Sequence, residues 1–144
     1  YLYNLCKALK EAKPDIKLIY HGCGNASAVF DELIECEIDA YQSLEVKSGL
    51  DVVELKKKFK NNLAFIGNID VRDVLSGSKQ RIKKELLRKL NAAKGGGFIP
   101  MSDHSVPDNI PVENYDYYIS LLDAYGKYPL KLGEYDIQEL DNLY

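Results

Sequence analysis

The sequence predicts an α/β domain built on a parallel sheet, and three observations carry that reading. Four stretches are short and largely apolar: "IKLIY" (16–20), "DAYQSL" (39–44), "LAFIG" (63–67) and "FIPMS" (98–102). Each is separated from the next by a segment with apolar residues at helical spacing, the arrangement that covers a parallel sheet. The strands recur at intervals of about 20 to 35 residues, which suits either a doubly wound sheet or part of a (β/α)8 barrel. In both architectures the chemistry lies at the carboxyl ends of the strands.

The helices follow from their apolar stripes and ends. Residues 2–12 place Leu2, Leu5, Cys6 and Leu9 on one face, and Pro14 closes the segment. "SAVFDELIECE" (27–37) aligns Val29, Phe30, Leu33 and Ile34, with Ser27 as a candidate N-cap. "DVVELKKKF" (51–59) opens on Asp51, a capping type, and ends in lysines that complement a helix dipole. "SKQRIKKELLRKLNAAK" (78–94) carries Ile82, Leu86, Leu87 and Leu90, and Gly95-Gly96-Gly97 stops it. That glycine run precedes a strand, whereas a dinucleotide-binding loop follows one. "PVENYDYYISLLDAYG" (111–126) has proline in its first turn and glycine at its end, and its tyrosines recur at packing distance.

Bulk properties bound the function. The chain has 144 residues, 46% of them hydrophobic, enough for one domain with a real core. A net charge of −3 points away from nucleic acid and anionic membrane as partners. No apolar run approaches the roughly 20 residues that span a bilayer. The first residues lack the apolar core of a signal peptide. Three cysteines, an odd number, argue for free thiols and a cytoplasmic location. The sequence opens at Tyr1, without methionine and inside a helical pattern, as a fragment would.

The strand ends to inspect are "HGCGN" (21–25), "EVKSG" (45–49), "NID" (68–70) and "DHSVPDN" (103–109). Both histidines, His21 and His104, fall there, and so does Cys23. Imidazole and thiolate are preferred zinc ligands, and a catalytic zinc takes three protein ligands and keeps an open position. His21 and Cys23 can reach one ion from a single turn. His104 is the candidate third ligand, with Asp70 or Asp103 as alternatives. A plain reading stands beside this one: Gly22 and Gly24 permit a sharp turn, Cys23 is a small packed residue, and Asn25 or Ser27 caps a helix. Walker loops and Gly-X-Ser-X-Gly elbows are absent from the sequence.

The series "YHGCGN", "GLDVVELKKKF", "LAFIGNID" and "DHSVPDNIPVENYDYYISLLDAYGKY" resembles the carboxyl-terminal half of the uroporphyrinogen decarboxylase superfamily. That superfamily contains the decarboxylase of haem synthesis and the cobamide-dependent methyltransferases. The resemblance covers about residues 2 to 128. It implies strands 5–8 of a (β/α)8 TIM-type barrel over 1–128, an amino-terminal half missing or replaced by a second copy, and an extension over 129–144.

The resemblance is nearest the methyltransferase branch, which holds zinc by a His-X-Cys after the fifth strand and a cysteine after the eighth. Here His21 and Cys23 match the pair, and His104 in "SDHS" stands where that branch has cysteine. The implied activity is methyl transfer between a corrinoid, carried on a separate protein, and a small-molecule donor or acceptor. Asp70 and Asp103 would orient ligands, with Asn25 and Asn68 as further binding candidates. The alternatives are a decarboxylase of porphyrinogen type, which needs no metal, and an inactive half that requires a partner chain.

Overall fold

The computed structural model describes residues 1–130. Of the extension expected over 129–144, residues 131–144 lie outside the described residues. Helix α1 (Leu2–Ala12) leads into β1 (Ile19–His21). A 3-10 turn (Ser27–Val29) and α2 (Phe30–Glu35) follow, then β2 (Ala40–Ser43). Beyond it come a second 3-10 turn (Val46–Ser48), α3 (Val52–Phe59), β3 (Ala64–Ile69) and α4 (Lys79–Ala92). The last elements are β4 (Phe98–Ser102) and α5 (Val112–Tyr125).

The strands pair in chain order, β1-β2-β3-β4, and every pair is parallel. That order bears out the half barrel implied by the resemblance, where strand spacing alone had left two architectures open. A doubly wound sheet reverses direction at a switch point and carries helices on both faces. An unbroken sequential order is the winding of a barrel wall, and four such strands make half of a (β/α)8 barrel.

Burial shows which face the helices cover. The register places Tyr20, Tyr41, Phe65 and Phe98 in one row, and the last three of these are fully buried. Phe30 of α2 sits in the middle of this layer, 4.7 Å from the Tyr41 ring centre and 5.9 Å from that of Phe65. Phe59 of α3 closes it edge-on to Phe30. The stripe of α4 (Ile82, Leu86, Leu87 and Leu90) is buried as its spacing predicts. On the opposite face Ile19 is 57% exposed and Ile99 58%. That face would be the interior of a closed barrel.

Several local details differ from the sequence expectation. Strand β1 starts at Ile19 rather than Ile16, because the Asp39 carboxylate takes the Leu18 N–H before the ladder begins. The strand also includes His21, expected just beyond it. Strand β3 runs through Asn68 to Ile69, since β4 continues to pair with it as far as Ser102. Ser27 does not cap α2: its N–H and hydroxyl donate to Asn25 Oδ1. The lysine run "KKKFK" at the end of α3, which reads as a solvated helix end, is not wholly solvated. Lys56 is buried, and its ammonium donates to the Lys60 carbonyl and to Asn61 Oδ1.

A charged chain ties α3 to α4. Asp51 caps α3 by accepting from Val53 N–H at 2.9 Å, and its other oxygen accepts from Arg88 at 3.0 Å. Arg88 also holds Glu85 through two 3.0 Å bonds, and Glu85 pairs with Lys89 at 2.7 Å. Lys89 is 1% exposed, and its ammonium donates to the Asn68 carbonyl at the end of the sheet. Burial on its own would raise the Glu85 carboxyl, but Arg88 and Lys89 outweigh it and hold the group at about 2.

Two outcomes follow from these contacts. Gly67 has φ +122° between β2 and β4, and a Cβ there would stand 1.9 Å from the Ser43 carbonyl oxygen. Gly67→Ala is expected to destabilise the fold by about 3 kcal/mol or more, read from denaturant midpoints. Glu85 ionises more readily when folded than at its unfolded value of about 4.3. Its stabilisation is therefore complete above that pH and is lost as pH falls toward about 2. Glu85→Gln is expected to cost about 3 kcal/mol at neutral pH and to flatten the stability profile across that acid window.

Candidate functional site

The carboxyl ends of β1, β2 and β4 meet at an open pocket of about 330 Å³. It is lined by His21, Cys23, Gln42, Ser43, Met101, Ser102, His104 and Ser105. His104 therefore shares one pocket with His21 and Cys23 although it is far from them in the chain.

The turn after β1 is built tightly against β2. Gly22 N–H donates to the Gln42 carbonyl at 2.8 Å, continuing the ladder one residue past His21. The Gly22 carbonyl accepts from the Tyr41 hydroxyl at 2.7 Å. A Cβ on Gly22 would stand 3.1 Å from that hydroxyl, a tight contact that would make the Tyr41 side chain shift by a few tenths of an ångström. Gly24, at φ +77°, turns the chain so that its N–H reaches Glu45 Oε1 at 3.2 Å.

His21 and Gln42 are register partners, so their side chains leave the same face of the sheet. His21 Nδ1 hydrogen-bonds Gln42 Oε1. A carboxamide oxygen only accepts, so Nδ1 is the donor in this contact and Nε2 is the ring nitrogen on the Cys23 side. Nε2 is 3.9 Å from Cys23 Sγ. Glu45, buried beneath, accepts from Gly24 N–H and pairs with Lys47 at 3.0 Å, with the Cys23 side chain near its carboxylate. The Lys47 bond, more than opposing burial, keeps the Glu45 carboxyl below the usual carboxylate range.

The donor chemistry suits a soft divalent ion. Ligands at about 2.0 Å (nitrogen) and 2.3 Å (sulfur) on a tetrahedral zinc stand roughly 3.5 Å apart, close to the His21–Cys23 separation. The pair fits such an ion. His104 lines the same pocket from the other side, but among the described residues no three His, Cys, Asp or Glu side chains are grouped closely enough to hold an ion together.

The other residues singled out from the sequence are outside the pocket lining, each occupied by backbone. Asp103 is 2% exposed and bridges two loops, accepting from Val46 N–H at 2.9 Å and Val71 N–H at 3.2 Å. It thereby fixes the base of the loop that carries His104. Asp70, also buried, accepts from Arg72 N–H at 2.8 Å and closes its own turn. Asn68 has φ +64° and is fully buried. Its amide donates to the Leu44 and Leu50 carbonyls and accepts from Val52 N–H. Asn25 Oδ1 serves Ser27, and its amide donates to the Ser48 carbonyl at 3.0 Å. Gln42 and Glu45 were not singled out in advance. The only sequence signal for them is their place at the end of the second strand, and neither type is diagnostic.

These strand ends, on a sequentially wound parallel sheet, are matched by a family model described as "Uroporphyrinogen decarboxylase (URO-D)", which aligns with residues 1–125. The chain belongs to the uroporphyrinogen decarboxylase family. It is 26% identical over 121 residues to a uroporphyrinogen decarboxylase of Hordeum vulgare, covering 84% of this chain and 35% of that protein. It is 27% identical over 118 residues to the same enzyme of Trichodesmium erythraeum, covering 82% and 32%. Among solved structures it resembles a methyltransferase from Methanosarcina mazei, with a TM-score of 0.62 and 21% identity over 85% of this chain and 34% of that one. This chain thus spans about a third of the length of the uroporphyrinogen decarboxylase relatives it matches. Among the described residues, no helix is long and apolar enough to cross a membrane.

Asp103→Ala would strip two loop N–H groups of their acceptor. The expected outcome is a loss of about 3 kcal/mol, with faster amide exchange at Val46 and Val71 as its local signature.

Proposed function

We propose that this chain carries the zinc-binding half of a methyltransferase site, serving transfer of a methyl group between a corrinoid on a separate protein and a small donor or acceptor. The observation that supports it best is the His21–Cys23 pair. Nε2 and Sγ stand 3.9 Å apart on the open face of the sheet, and Gln42 holds the far side of the imidazole.

Zinc bound there would supply Lewis acidity and an open position at which a thiol is held as thiolate near neutral pH. The chain's own groups have distinct parts. His21 offers Nε2. Cys23 offers sulfur, 3.9 Å from that nitrogen. His104 faces the same space from the β4 loop as the candidate third ligand. Ser43, Ser102, Ser105 and Met101 line the volume left for a small substrate. Asp70 and Asp103 act by holding loops in place.

In this reading the remaining barrel strands come from an amino-terminal half or a second copy, and the protein works in the cytoplasm. The exposed Ile19, Ile99 and Met101 on the inner face support such a cover. A second reading, decarboxylation of a porphyrinogen, is favoured by the names of the relatives in Hordeum and Trichodesmium. An unpartnered chain is expected to be inactive under either.

Metal analysis of the purified chain separates the two. About one zinc per chain is expected, with Cys23→Ser and His21→Ala each lowering affinity at least tenfold. Zinc content unaffected by Cys23→Ser, together with tetrapyrrole binding that is indifferent to chelators, would favour the decarboxylase instead.

A further inference from the structure

Strand β2 contributes a side chain that sequence inspection passes over. Gln42 and His21 are paired in register, and the Gly22 N–H to Gln42 carbonyl bond of 2.8 Å locks the two backbones together at that point. Both side chains therefore rise from the open face at neighbouring-strand spacing, about 4.8 Å. The Gln42 carboxamide oxygen meets His21 Nδ1, and the opposite ring nitrogen faces Cys23 Sγ. An imidazole free in water prefers the proton on Nε2, the nitrogen that faces Cys23 here. Without a fixed acceptor at Nδ1, the ring would spend most of its time with its lone pair turned away from the sulfur.

We propose that Gln42 is a positioning residue for this site: it holds His21 as the Nδ1–H tautomer and aims the Nε2 lone pair at the space beside Cys23. The inference rests on the metal-binding reading for its purpose but not for its geometry. A neutral amide performs this role without adding a charge to the pocket. A carboxylate at the same point would make the imidazole more basic and a stronger competitor for a proton.

The test uses the full 144-residue chain labelled with ¹⁵N-histidine. The sequence has two histidines, so His104→Ala assigns the ring signals. In the parent protein at slightly alkaline pH, His21 should show a protonated Nδ1 and an unprotonated Nε2. Gln42→Leu should move the equilibrium toward Nε2–H and weaken zinc binding about 10- to 100-fold. Gln42→Glu, which keeps the acceptor, should restore the Nδ1–H tautomer. A Gln42→Leu protein that keeps both the parent tautomer and the parent zinc affinity overturns the proposal. If zinc binding depends on Cys23 but not on Gln42, the positioning role fails while the metal site stands. If the tautomer depends on Gln42 and no zinc binds, the positioning role stands and the metal reading fails.

Discussion

Asn68 is the group on which the carboxyl end of this sheet depends. It sits at the end of β3 in a left-handed conformation, fully buried. Its amide meets two carbonyls and one N–H of the segment between β2 and α3. Its own carbonyl accepts from Lys89, which leads through Glu85 and Arg88 to Asp51 and back to the start of α3. The result is a ring of polar contacts through one strand, one loop and two helices. Each named group in it has a partner, the condition under which a buried polar network specifies a structure rather than weakening it. Because the loop after β2 is held by Asn68, Glu45 is in position to reach Gly24 and Cys23.

The site proper depends on a second constraint, the register of β1 against β2. A slip of one residue would turn His21 to the helix-covered face and bring Tyr20 out in its place. The aromatic layer opposes that slip: Tyr41, Phe30 and Phe65 fill the covered side, and Tyr20 stacks on Tyr41 at 6.1 Å. Hydrophobic packing on one face thus aims polar side chains on the other. The same arrangement leaves the inner face uncovered in the isolated chain, with Ile19, Ile99 and Met101 beside the very groups that would do the chemistry.

Much of this was legible in advance because its signals are local. The strand–helix alternation comes from short-range periodicity, and each of the four strands falls on its expected segment within a few residues. Asp51 is the cap its residue type suggests. His21, Cys23 and His104 were placed at strand ends by one architectural rule, and they do line one pocket. The misses are of another kind. The lysines of "KKKFK" read as a solvated helix end, yet Lys56 is buried, and so is Lys89 on α4, since only the packed helices decide which lysines meet a carbonyl and which meet water. Asn68 reads as a binding residue of the "NID" turn, but its amide is occupied by backbone groups 16 to 24 residues away.

By itself the sequence determined the type and order of the elements, the likeness to one family, and the residues with metal-binding chemistry, because each is encoded in residue type and close spacing. Strand spacing alone fitted both a barrel wall and a doubly wound sheet; the resemblance implied the barrel, and the unbroken strand order bears it out. Only the tertiary structure showed that Gln42 faces His21 and Glu45 faces Cys23. Those pairings join residues about 20 positions apart through a register set by aromatic packing on the far side of the sheet. No local pattern of residue types carries that information.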